Sequence, residues 1–446
     1  MIKKTFSIFF IFLIVILSVF SPITASAYEV TSFEITAKAG MLVCLGSDDM
    51  PDEILYQNNI DTKVYPASIA KIMTAVLMLE SEKWDPEAKV TLSKEVLDMV
   101  LGTGLAVSLF TEGEEFTQLD MLYMVLVSSW GDITYQAAIT YGGTVENFVD
   151  MMNNKAKELG LNSTHYSNPV GLHEEETYTT VRDIYKLAKY AMKHETFNTI
   201  TSKSRHKVHT TKGTTRTLST TNFLLDSSTN YYYKPAKGMK TGYTDKAGRC
   251  LVSVASNKRY NYMCILMNCP NNPNKRHEFS ESKQLYEWAF KNFSFKEVAK
   301  SDEPVCEIPV EYSLDTDFVP LYFKKPFGTI LPNEADQSTI VVKTIFKSET
   351  AKAPIKKGDV LGKAEITYAE KVIGTVDLVA GNDVASSNLL IAATQVKNFF
   401  TSIYMKLLYA AIGIVVVVFI ILCIKLNLEK LKKRRVRYIP YNKDEK

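Results

Sequence analysis

Pro66-Ala67-Ser68-Ile69-Ala70-Lys71, continuing as Ile72-Met73-Thr74-Ala75-Val76-Leu77-Met78-Leu79-Glu80, is the stretch on which the fold turns. Ile69, Ile72, Met73, Val76, Leu77 and Leu79 recur at helical spacing, so Ser68 to Glu80 predicts a buried helix with a serine in its first turn. Lys71 follows Ser68 by three residues, and side chains at i and i+3 share one face of a helix. The lysine amine can therefore approach the serine hydroxyl. A lysine kept from water beside another cation loses its proton near neutral pH and can then act as base for the serine. The helix start adds positive potential where an oxyanion would form. Taken alone the pattern is weak, because a helix start with a solvated lysine reads the same way.

A second element sharpens it. Lys240-Thr241-Gly242 lies 172 residues after Ser68, in a run from Gly238 to Tyr243 that reads as a strand. The lysine supplies positive charge and the threonine hydroxyl can bind a carboxylate. The glycine lets a substrate backbone lie close to the strand edge. Ser-x-x-Lys followed by Lys-Thr-Gly is the motif pair of penicillin-recognising serine acyl-enzymes.

Working outward, Ala39 to Leu45 and Ile54 to Gln57 read as a strand pair. Helical spacing returns at Phe116 to Val127, Val145 to Leu159 and Val181 to His194. Three strands follow, Gly238 to Tyr243, Cys250 to Ser256 and Tyr260 to Met267, with a closing helix from Ser280 to Phe293. The layout implies an α+β unit, an antiparallel sheet faced by helices, over residues 28–296. From 297 to 391 the texture changes to short alternating strands, Glu307 to Tyr312, Thr339 to Phe346, Val360 to Tyr368 and Lys371 to Val379, which imply a small all-β domain. Residues 392–406 read as a linker.

Both ends point to a membrane. Lys3 and Lys4 precede an apolar stretch from Phe9 to Phe20 and the small-x-small run Ala25-Ser26-Ala27, so residues 1–27 read as a cleaved signal peptide. Leu407 to Ile424 is an unbroken apolar run of 18 residues, enough for a transmembrane helix. Behind it, residues 425–446 hold nine Lys or Arg against Glu429, Asp444 and Glu445, a basic tail that the positive-inside rule keeps in the cytoplasm. The two ends carry +2 and +6 while the whole chain carries +3, which leaves the body between them at −5. An acidic body argues against a nucleic-acid surface. The expected location is the cell membrane, with a single pass and an extracytoplasmic ectodomain.

Cys44, Cys250, Cys264, Cys269, Cys306 and Cys423 show no CxxC spacing, and Cys44, Cys250 and Cys264 fall in apolar strand-like runs as small core residues. His206 and His209 form the one close histidine pair, in a Lys/Thr-rich stretch that reads as exposed strand or loop. No metal and no cofactor is expected.

The sequence resembles the serine-type D-alanyl-D-alanine carboxypeptidases, the low-molecular-mass penicillin-binding proteins. The likeness runs from Val64-Tyr65-Pro66-Ala67-Ser68 and Lys71-Ile72-Met73-Thr74-Ala75, through Asn168-Pro169 and Gly171-Leu172, to Gly238-Met239-Lys240-Thr241-Gly242-Tyr243-Thr244. It continues in the β domain at Ala353-Pro354-Ile355-Lys356-Lys357-Gly358. The resemblance implies a penicillin-binding, β-lactamase-like domain that removes the terminal D-Ala from peptidoglycan stem peptides and is trapped by β-lactams. It implies Ser68 as nucleophile, Lys71 as general base and Ser129 as proton relay. Lys240, Thr241, Gly242, Tyr243 and Arg276 are implied as substrate-binding residues, with the amides of Ser68 and Tyr243 as the oxyanion hole. One position departs from the family. Its middle motif, Ser-x-Asn followed by Asp, matches Ser129-Trp130-Gly131-Asp132, which puts Gly131 where an asparagine belongs. The loss of that amide implies a slower site, or a homologue kept as a peptidoglycan-binding scaffold. Restoring it by Gly131→Asn is expected to raise activity.

The topology has a direct test. Protease added to intact cells releases ectodomain fragments and leaves the tail protected; a tag placed after Lys446 that is reached from outside reverses the orientation.

Overall fold

The computed structural model describes residues 34–47, 50–257 and 260–435. The signal-peptide reading of residues 1–27, part of the turn at Asn257-Lys258-Arg259 and the last residues of the basic tail lie outside them.

Two compact units divide the chain, residues 1–298 with 327–339, and residues 299–326 with 340–446. The first is organised by a five-stranded antiparallel sheet. Its strands are β1 (Ala39–Leu45), β2 (Glu53–Asn58), β3 (Ala236–Thr244), β4 (Gly248–Ser256) and β5 (Asn261–Cys269), in the order β2-β1-β5-β4-β3. In β1 every residue is buried, because both faces are covered. Met41 and Val43 point into one apolar cluster, and the alternate residues Leu42 and Cys44 into another. The first cluster takes in helix α1 (Lys71–Glu80), whose residues from Lys71 to Met78 are all buried. The second takes in helix α3 (His277–Asn292), through Phe279, Leu285 and Tyr286. At about 1.5–3 kcal/mol for each large apolar side chain removed from water, these two helix contacts hold the sheet between layers.

Two helix readings of the sequence are corrected in this unit, and one helix is added. Ser68 does not begin the α-helix: Ala67–Ala70 forms a 3-10 turn and α1 starts at Lys71. The run Phe116 to Val127 is not one helix but a strand, Glu115–Thr117, a helix, Gln118–Tyr123, and a wide π-type turn, Met124–Ser128. Helix α2 (Gly131–Gly142) follows it, a helix that the sequence pattern does not announce.

The second unit carries a six-stranded sheet ordered Ile340–Phe346, Val360–Tyr368, Lys371–Ala380, Phe318–Phe323, Pro304–Glu311 and Ala351–Lys352. The strand Phe327–Pro332, which falls inside the stretch read as the β domain, pairs with Phe293–Ala299 and belongs to the first unit. The stretch read as a linker is largely helical, Asn388–Thr401, with Ser387 capping it through the Leu390 amide. A further helix, Ile403–Arg435, contains the apolar run and is long enough to cross a membrane from Ile403 to Lys432.

Candidate active site

The turn before α1 is shaped by close approach. Ala67 has a φ of 46°, a left-handed conformation that a non-glycine residue adopts only when its surroundings dictate it. Gly242 on β3 and Gly171 on a crossing loop make room for it. A Cβ on Gly242 would lie 3.0 Å from the Ser68 amide, and one on Gly171 would lie 1.8 Å from the Ala67 carbonyl. The freedom of Gly242 is thus used first by the serine turn, and only then by whatever lies along the strand.

Inside this turn Lys71 is fully buried. Its Nζ donates to Ser68 Oγ at 3.0 Å and to the Val170 carbonyl at 2.8 Å. Thr74, one turn on, donates to the Pro169 carbonyl at 3.0 Å and fixes the same loop. Burial pulls the Lys71 pKa down from its ordinary value to about 7. Lys240, also fully buried, donates to the Thr241 carbonyl at 3.0 Å. Its pKa lies well below the ordinary lysine value, first through burial and then through the charge of Lys71. Two ammonium groups close together in a dry site cannot both hold their protons cheaply.

Ser68 opens onto a cleft of about 290 Å3, lined also by Ser129, Thr241, Gly242, Tyr243 and Arg276. Thr241 donates its hydroxyl to Thr221 at 2.6 Å. Ser129 has a φ of 61°, and its buried Oγ has no hydrogen-bond partner. Arg276 has its guanidinium held 2.6 Å from the buried Glu278 carboxylate and 4.8 Å from the centres of the Phe223 and Phe279 rings. The seven implied side chains and Gly242 therefore converge, with Lys71 and Lys240 behind the cleft wall. Sequence reasoning missed the Val170 carbonyl, Thr221 and Arg249, which also lines the cleft. His206 and His209 play no part in it: His206 bonds Asp120 at 2.9 Å and stacks on Tyr123, while His209 bonds Thr215 at 2.8 Å.

Gly131 differs most from expectation. It is helical and buried, and its amide donates to the Ala106 carbonyl at 2.7 Å. A Cβ built there would meet Leu105 Cδ1 at 2.8 Å and Leu105 Cβ at 3.0 Å. Asp132 is completely buried, and its carboxylate accepts the Ser108 amide and hydroxyl, the latter at 2.5 Å. The loop through Leu105 and Ser108 is thus fastened against the middle motif.

Comparison with known proteins agrees with this geometry. A family model described as D-alanyl-D-alanine carboxypeptidase matches residues 24–271, and one described as penicillin-binding protein 5, C-terminal domain, matches residues 293–386. The D-alanyl-D-alanine carboxypeptidase DacF of Bacillus subtilis is 28% identical over 340 residues, 76% of this chain and 84% of that protein. A D-alanyl-D-alanine carboxypeptidase of Streptomyces sp. is 34% identical over 213 residues, 45% of this chain and 72% of the other. The crystal structure of penicillin binding protein 5 from Haemophilus influenzae superposes with a TM-score of 0.63 at 26% identity, covering 80% of this chain and all of that one. Because the first family match spans more than half of the sequence, and spans both the Ser68 turn and the Lys240 strand, the chain belongs to the D-alanyl-D-alanine carboxypeptidase family of penicillin-binding serine hydrolases.

Proposed function

We propose that Ser68 is the nucleophile of an acyl-enzyme carboxypeptidase acting on peptidoglycan stem peptides that end in D-Ala-D-Ala. The observation that carries the reading is the buried Lys71 amine, 3.0 Å from Ser68 Oγ and with its pKa brought near neutrality. Neutral Lys71 takes the hydroxyl proton as Ser68 Oγ attacks the carbonyl carbon of the penultimate D-Ala. The Ser68 and Tyr243 amides receive the oxyanion. Ser129 Oγ, buried and unpartnered, relays a proton to the departing nitrogen as the C–N bond breaks. D-Ala leaves, and water hydrolyses the ester to regenerate Ser68. Thr241 and Arg276 hold the terminal carboxylate, and an arriving carboxylate favours the protonated form of Lys240. A β-lactam enters by the same attack and stays as the ester. The helix Ile403–Arg435 anchors the protein, with the ectodomain outside and the basic tail inside.

A second reading, a peptidoglycan-binding scaffold with little turnover, is favoured by one observation: Gly131 offers no side-chain amide and Leu105 fills the space beside it. The two readings differ in what a penicillin does to the protein.

Ser68→Ala removes one hydroxyl and leaves the fold intact, so covalent labelling by a fluorescent penicillin, read by mass spectrometry, is lost while the circular dichroism spectrum is unchanged. Labelling that persists removes Ser68 from the mechanism. The pH dependence follows from Lys71. Its depressed pKa means that the neutral base is present above about pH 7 and is lost as pH falls, so the second-order acylation rate drops about ten-fold per unit below pH 7. A profile flat from pH 5 to pH 8 excludes Lys71 as the base.

The expected gain from Gly131→Asn alone is withdrawn, because the new side chain meets Leu105. Overpacking of that kind costs about 1–3 kcal/mol, so the single variant melts at lower temperature with no gain in kcat/KM. Gly131→Asn with Leu105→Gly clears all three nearest atoms. The pair raises kcat/KM on a D-Ala-D-Ala peptide by about ten-fold, equivalent to roughly 1.4 kcal/mol. A folded double variant without that gain supports the scaffold reading.

A further inference from the structure

A second cavity in the first unit, about 740 Å3, is larger than the cleft that holds Ser68. Two short stretches of chain connect them. Ser68 lines the cleft and Tyr65, three residues earlier, lines the cavity; Tyr243 lines the cleft and Lys246, three residues later, lines the cavity. Strand β3 supplies a direction. In the proposed reading Lys240 and Thr241 stand at the substrate's terminal carboxylate, and Tyr243 stands at the carbonyl under attack, one residue nearer the substrate's N-terminus. Continuing along the same line leads past Thr244 to Lys246 and the cavity.

The chemistry of the walls narrows what enters. Three lysines, Lys38, Lys63 and Lys246, line the cavity together with Glu175 and Glu176. Glu175 keeps an exposed side chain, its carboxylate 3.4 Å from the Tyr65 hydroxyl and 3.6 Å from His173 Nε2. Lys63 is also engaged, its Nζ 3.6 Å from the centre of the Tyr178 ring. Lys38 and Lys246 are exposed and form no ion pair among the described residues. The wall therefore carries three ammonium groups against two carboxylates, with Lys38 and Lys246 the two lysines free to turn toward a ligand. Such a wall suits a flexible segment that carries a free carboxylate beside an amine, with the apolar parts of its chain against Tyr65 and Tyr178.

We propose that this cavity binds the part of the stem peptide upstream of D-Ala-D-Ala and that Lys246, with Lys38, recognises a free side-chain carboxylate on the residue preceding those two. The preferred third residue is then a diamino diacid rather than lysine. The assignment rests on the acyl-enzyme reading only for the direction of the peptide.

The test uses the full chain in detergent with Ser68→Ala, so that no peptide is consumed. Two fluorescent pentapeptides, identical except that the third residue's side-chain carboxylate is free in one and amidated in the other, are titrated by anisotropy. The free acid binds about ten-fold more tightly. Adding Lys246→Ala brings the ratio near one and leaves the amidated peptide's affinity unchanged. Equal affinity for the two peptides, no binding of either, or a ratio that survives both Lys246→Ala and Lys38→Ala overturns the proposal. In protein that retains Ser68, Lys246→Ala leaves penicillin acylation at the wild-type rate, since the drug carries no upstream peptide. Failure of penicillin to label that protein removes the acyl-enzyme reading, while the binding ratio still judges the cavity.

Discussion

A lysine amine with no water around it is the constraint on which the site depends. Lys71 is fully buried, and its two hydrogen bonds, to Ser68 Oγ and to the Val170 carbonyl, are what the protein offers in place of hydration. Neither partner is a carboxylate. A buried carboxylate would have held the proton on nitrogen; a hydroxyl and a carbonyl leave the cost of burial largely unbalanced, which is why the pKa falls to about 7. The sheet that is covered on both faces serves this end. With α1 buried from Lys71 to Met78, water has no route to the amine from the helix side.

Lys240 repeats the same device on the facing strand. It is equally buried, and the Lys71 charge adds to that burial in lowering its tendency to hold a proton. In the proposed reading, a carboxylate held at Thr241 and Arg276 favours the protonated form of Lys240.

The strands of the first sheet were legible because their apolar residues alternate between two clusters, and Ala39–Leu45 is continuous in both. The motif residues were legible because hydroxyl, amine and glycine at fixed spacing carry chemistry in their identities. What could not be read is held by backbone. The Val170 carbonyl has no side-chain identity to betray it, and the Ala67 turn is imposed by Gly171 and Gly242, one from more than a hundred residues away and the other further still. Helix α2 was missed because it opens with a glycine and mixes Thr134, Gln136 and Thr140 among its apolar residues. The stretch before it looked uniformly helical because its apolar residues continue through the π-type turn that aims Ser129. Phe327–Pro332 has strand texture like its neighbours, and only its partner strand, Phe293–Ala299, assigns it to the other unit.

The middle motif shows why a departure from a family pattern is better read as a change of shape than as a missing atom. Taken from sequence, Gly131 is a vacancy. In the fold it is one half of a pair: the volume a side chain would occupy is held by Leu105, on a loop tied down by Gly131's own amide through Ala106 and by the buried Asp132 through Ser108. A large side chain stands against a glycine across this one contact, which keeps packing dense there. The space beside Gly131 is filled by the apolar Leu105 side chain and is not left open. The Ser68 and Lys71 pair, on a different element and held by a different loop, keeps its own geometry.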